Sequence, residues 1–166
     1  MIAVWAWVGL AVANDKWAGH DPDVVAEATI AASPAAVYDK LVDLMSLKAA
    51  MDSTCASRWV MGNNTRGIGA SAELTYVAAA MRRRLVATVS KGEPGRYVDL
   101  DHAGNRGFVT RFELSAEGEG THVKMTTFLD MPPGVLQGYY FTQVQPAWVT
   151  CQATTLTNIA SMVKAP

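Results

Sequence analysis

The chain has 166 residues, half of them hydrophobic and only 17% charged, a composition that excludes a disordered segment and fits one ordinary domain. A domain of that length buries roughly 70% of its unfolded surface, so no metal or disulfide staple is required. The net charge of −1 and a pI near 6.3 exclude nucleic acid as a general partner.

Residues 1–13 (MIAVWAWVGLAVA) are apolar throughout. The run is short of the ~20 residues that span a bilayer. The small residues at 11–13 resemble a cleavage site, yet no Lys or Arg precedes them. Three readings stand: an export signal, a membrane-anchor remnant that would bring membrane contact, or packed structure. Residues 14–23, with Gly19 and Pro22, read as a linker. The expected division is an apolar segment and linker over 1–22 and a single domain over 23–166. A cytoplasmic location is the default expectation, with export or membrane association through residues 1–13 as the alternative.

Residues 24–31 alternate apolar with small or polar and predict the first strand. Ser33 and Pro34 form a helix start, and Val37, Leu41, Leu44 and Met45 then follow at helical spacing. This predicts two short helices, broken near Ser46. From Arg58 the period becomes two. Strands are expected over 58–61, 70–80, 82–90, 96–102, 107–114 and 121–130, separated by turns such as KGEPG and EGEG. After Pro132-Pro133-Gly134 the remainder reads as one long helix. Its apolar stripe is Phe141, Val144, Trp148, Cys151, Thr155, Ile159 and Met162, with a kink at Pro146. The predicted class is therefore α+β: a curved antiparallel sheet of about six to seven strands wrapped around a long C-terminal helix. A curved sheet gripping one helix need not fill its own interior, so a pocket is expected between them.

Three stretches resemble the START-like (SRPBCC) superfamily, which includes polyketide cyclases and dehydrases, plant pathogenesis-related allergens and coenzyme Q-binding proteins. They are VVAEATIAASPAAVYDKLVDL with its Val37-Tyr38 pair, Gly67-Ile68-Gly69-Ala70, and FELSAEGEGTHVKMTTFLDM with Gly120-Thr121 opening the last strand. One departure is LKAAMDSTCASRW, where many members carry Trp and Pro after the second helix and this chain has Trp59 later. The resemblance implies a helix-grip fold with a cavity, not a particular reaction.

The candidate ligand-binding residues are Tyr76, His102, Thr110, Phe112 and Thr127 from the sheet, with Tyr140, Val144 and Trp148 from the helix. His102 shares a strand face with Val98 and Leu100. It is either a general acid or base in an apolar pocket or a partly wet strand-end histidine. Asp99 and Asp101 read as an outer solvated face, less readily as a catalytic carboxylate pair. Arg82-Arg83-Arg84 is either a rim contact for an anion or headgroup or a solvated edge, and at least one of the three must point inward or sit at the strand's end. Cys55 and Cys151 are nearly a hundred residues apart and show no ligand spacing, so unpaired thiols are expected and no metal site. No cofactor motif of the hydrolase, NTPase or dinucleotide kind occurs. The leading expectation is a binding module for a small hydrophobic ligand, lipid-like or aromatic. The alternatives are a cyclase or dehydrase-like enzyme using His102, and a protein-interaction domain. Oligomeric state is open.

Overall fold

Ser33 turns the chain from strand to helix in the way its sequence predicts. In the computed structural model, which describes residues 21–51, 55–104, 107–129 and 136–164, its side chain accepts a hydrogen bond from Ala36 N at 3.3 Å. Pro34 follows at the first helical position, where a missing N–H costs nothing. Strand β1 (Val24–Ile30) precedes this cap, and α1 (Pro34–Leu41) and α2 (Leu44–Ala50) follow it. The helices part at Val42-Asp43, earlier than Ser46, because Asp43 is itself a cap. Its carboxylate accepts from Met45 N at 3.0 Å and from Ser46 Oγ at 2.8 Å.

Six more strands follow: β2 (Ala56–Met61), β3 (Ser71–Ala78), β4 (Met81–Glu93), β5 (Tyr97–Ala103), β6 (Phe108–Glu117) and β7 (Gly120–Leu129). The seven form one antiparallel sheet in the order β1-β7-β6-β5-β4-β3-β2. β1 is thus returned to the far end of the meander, beside β7. The opposite edge, β2, carries a register shift between Ser57 and Val60 with Arg58 at φ +54°, a bulge that discourages pairing with another sheet.

The last segment is α3 (Leu136–Tyr139), a π-helical turn (Tyr140–Val144) and α4 (Gln145–Lys164). Pro146 has no N–H to donate, and the irregularity falls just ahead of it, where Gln145 N–H reaches back five residues to Tyr140 O. The wider turn resets the helical register. Tyr140 and Val144 point inward, 6% and 1% exposed, whereas Phe141 is 45% exposed. The expectation that Phe141 leads the buried stripe is therefore corrected, and Tyr140 takes its place.

The core fills the space between the concave sheet face and these helices in two clusters. One gathers Leu41, Leu44, Leu100, Phe112 and Ile159 beneath α1, α2 and the end of α4. The other gathers Leu74, Tyr76, Phe108, Tyr140, Val144 and Trp148 beneath the π turn and the start of α4. Among the described residues, no helix is long and apolar enough to cross a membrane. The readings made for residues 1–20, the apolar run included, lie outside the described residues.

Two further corrections concern charge and sulfur. Asp99 does not sit on a solvated face. It is 2% exposed and pairs with Arg111 through two 2.7 Å bonds, Nε to Oδ1 and Nη2 to Oδ2. The two residues are register partners on β5 and β6, so the pleat delivers them to each other. Nor are the cysteines free thiols: Cys55 and Cys151 form a disulfide, with Cα atoms 5.5 Å apart. Spacing along the chain carried no sign of this, because the partners are brought together only when α4 crosses the β2–β3 edge.

Candidate functional site

Alternation on β5 puts Val98, Leu100 and His102 on the inner face, and His102 is 2% exposed. Its ring stacks on Phe108, its register partner on β6, with centroids 4.1 Å apart. From β3, the Tyr76 hydroxyl reaches His102 Nε2 at 2.9 Å. Tyr76 is stacked in turn against Trp148 of α4, at 5.2 Å and 21° between planes, and Trp148 meets Phe108 edge-on at 4.9 Å. Three strands and the helix thus contribute one ring each to a closed aromatic cluster.

Burial sets the chemistry of the polar pair. Taking a charge out of water disfavours it, so His102 is lowered from 6.5 to about 3, the Phe108 and Leu100 backbone opposing this only in part. Burial also pushes the Tyr76 hydroxyl well above its ordinary value. At neutral pH both groups are uncharged. They are a donor and an acceptor held in an apolar setting.

A second polar group lies deeper along the same face. Thr110 of β6 and Thr127 of β7 are register partners with hydroxyls 3.0 Å apart, and Gln152 Nε2 donates to Thr127 Oγ1 at 2.5 Å. Thr110 stands between Phe108 and Phe112 on β6, so this trio marks the junction of the two apolar clusters. Gln152, fully buried and one helical turn beyond Trp148, is a site residue the sequence reading missed. A polar residue interrupting an apolar helical stripe was the available signal.

Among the described residues, several buried polar atoms here make no hydrogen bond to protein: Tyr140 Oη, Trp148 Nε1 and Gln152 Oε1, with Trp59 Nε1 on β2 as a fourth, whereas the His102 ring faces the Phe108 and Leu100 backbone. Tyr140 lies close enough to Asp23 and Arg83 to feel both charges. Burial, aided by Asp23, raises its hydroxyl, and Arg83 opposes the shift. Arg83 is the inward-facing member of the arginine run, as the register partner of Tyr76, while Arg82 and Arg84 are exposed and Arg84 pairs with Glu73.

The structure therefore brings Tyr76, His102, Tyr140, Val144 and Trp148 into one neighbourhood and Thr110 and Thr127 into the adjoining one. Phe112 lies in the other cluster, against Leu100 and Ile159. No cluster of three metal-ligating side chains occurs among the described residues.

No protein-family model matches the chain, and no curated protein matches it in sequence. Solved structures do. KanY protein (ms6282) is similar at 21% identity and a TM-score of 0.72, over 85% of this chain and 96% of that one. TTHA0849 from Thermus thermophilus is similar at 20% identity and 0.70, over 84% and 95%. The major latex-like protein 151 from Panax ginseng is similar at 7% identity and 0.62, over 85% and 96%. At these identities the likeness concerns the fold: the chain has the helix-grip architecture expected from its sequence.

Proposed function

We propose that the protein binds a small hydrophobic ligand, lipid-like or aromatic, between the concave sheet face and α4. The observation that carries this reading is the set of buried polar atoms without partners among the described residues, set in an otherwise apolar interior. Each such atom left unpaired costs ~1–3 kcal/mol, a cost that a ligand with matching donors and acceptors removes. Trp148 Nε1 and Tyr140 Oη offer donors, and Gln152 Oε1 offers an acceptor. An apolar body would gain ~25 cal/mol per Å² removed from water. Because the Tyr76, Phe108 and Trp148 rings touch one another, a ligand enters by parting them, and uptake is coupled to a movement of α4.

The cyclase or dehydrase-like alternative needs a working base. A histidine lowered to about 3 is a weak one, far from the pKa near 7 that serves proton transfer at neutral pH. That observation puts binding ahead of catalysis. Native mass spectrometry of protein purified from its own source tests the reading, with an environment-sensitive apolar dye as the second measurement. A retained small molecule, or saturable binding of one dye per chain, is the expected result. No retained mass together with no saturable dye binding overturns it.

A further inference from the structure

The Cys55–Cys151 disulfide forms part of the wall of a surface groove of about 670 Å³ that runs between the β3–β4 hairpin and the outer side of α4. Val77 and Ala147 give the groove apolar walls, and Thr150 and Thr154 add hydroxyls. Among the described residues that line it, Arg82 is the one cation and there is no carboxylate. Arg82 is exposed and makes no ion pair with a described residue. The cysteines themselves are nearly buried, at 3% and 7% exposure, so a reagent reaches their sulfurs by way of this groove.

The geometry points to a use for this arrangement: we propose that the groove is a thiol–disulfide exchange site for an anionic low-molecular-weight thiol. The disulfide defines the chemistry, the near-complete burial of its sulfurs favours a small reagent, and the arginine on the groove wall selects negative charge. The incoming thiolate sulfur bonds to one cysteine sulfur and the Cys55–Cys151 bond breaks. Its electron pair leaves on the other cysteine, which takes a proton from water. A second molecule of the thiol then attacks the mixed disulfide, leaving two protein thiols and one oxidised small-molecule disulfide. Arg82 assists twice, by raising the local concentration of the anion and by favouring the thiolate that departs. The proposal does not depend on what the interior holds.

The test treats the folded, oxidised protein with glutathione (anionic), 2-mercaptoethanol (neutral) and cysteamine (cationic). Rates are corrected to equal thiolate concentration and product is followed by intact mass spectrometry. The expected result is a mixed disulfide with glutathione on one cysteine, formed faster than with the neutral thiol by a factor on the order of three- to tenfold and faster still than with cysteamine. The preference is lost in Arg82→Gln, an exposed substitution whose folding circular dichroism verifies, and shrinks as salt is added. Equal corrected rates for the three thiols, a preference that survives in Arg82→Gln, or reaction only with a protein reductant such as thioredoxin would each overturn the proposal.

Discussion

The Tyr76 hydroxyl and His102 Nε2 are 2.9 Å apart inside a cluster of rings that also contains Phe108 and Trp148. The bond joins β3 to β5 across β4, two strands that make no ladder contact with each other. It therefore ties the inner faces of two non-adjacent strands beneath the first turn of α4, where Trp148 stacks on Tyr76.

The histidine of this pair adds a pH dependence to stability. His102 titrates at about 3 when folded and near 6.5 when exposed, so below pH 6.5 the unfolded chain binds the extra proton and the folded chain does not. Stability is fully present above the unfolded value and declines as pH falls from there toward the folded value, by about 1.4 kcal/mol per pH unit. In His102→Gln, which keeps an acceptor for Tyr76, the decline is shallower. Unfolding free energies from urea titrations near pH 7.5 and pH 5 should differ by ~2 kcal/mol more in the native protein than in the variant. Parallel declines would mean that His102 is not the titrating group.

Trp148 stacks on Tyr76 and meets Phe108 edge-on, and it is 5% exposed. Trp148→Ala empties that space and should lower stability by ~3–5 kcal/mol. Chemical denaturation measures it. A loss below ~1 kcal/mol would place the ring outside the core.

Much of this arrangement was legible in the sequence. Period-two alternation located all seven strands, and the pleat placed Leu74, Tyr76, Leu100, Phe108, Phe112 and Met125 on one buried face. What escaped depended on contacts across the fold. The Cys55–Cys151 bond and the Asp99–Arg111 pair join residues whose meeting follows from register and helix crossing, which local patterns do not encode. The Phe141 assignment failed for a local reason. A uniform 3.6-residue period was carried through a π turn, and one extra residue in that turn exchanged Phe141 for Tyr140 on the inner side. Pro146 marked the place of the irregularity but not its form.

The Asp99 and Arg111 side chains are 3% and 18% exposed, so removing one partner strands a charge. Arg111→Leu leaves the Asp99 carboxylate without its bidentate partner and should cost roughly 3–5 kcal/mol. The double variant Asp99→Leu, Arg111→Leu should recover much of that loss, because no buried charge then remains. A double-mutant cycle from urea midpoints gives the coupling, and additive losses would show that the pair is not coupled.

The disulfide closes a loop of 96 residues in sequence separation, which restricts the unfolded chain strongly. Replacing both cysteines by serine should lower stability by ~2–5 kcal/mol. Adding reductant should bring the native protein to the level of the double variant and leave the variant unmoved. Equal stability of native protein and variant in the absence of reductant would argue that the bond contributes nothing to the clamp between β2 and α4.

The neighbour of β1 in the sheet is β7, with Val24 opposite Thr127 and Ile30 opposite Thr121. During synthesis the first strand therefore emerges without its partner and waits for roughly a hundred residues more, about 5–20 s at ordinary elongation rates. Strands β2 to β6 can pair with their immediate neighbours as they appear, whereas β1 cannot. Its side chains Val24 and Ile30, 2% and 0% exposed in the finished fold, spend that interval unburied. Of the seven described strands, the first to be made is thus the one whose partner comes last, and the helix that covers Val24 is made later still.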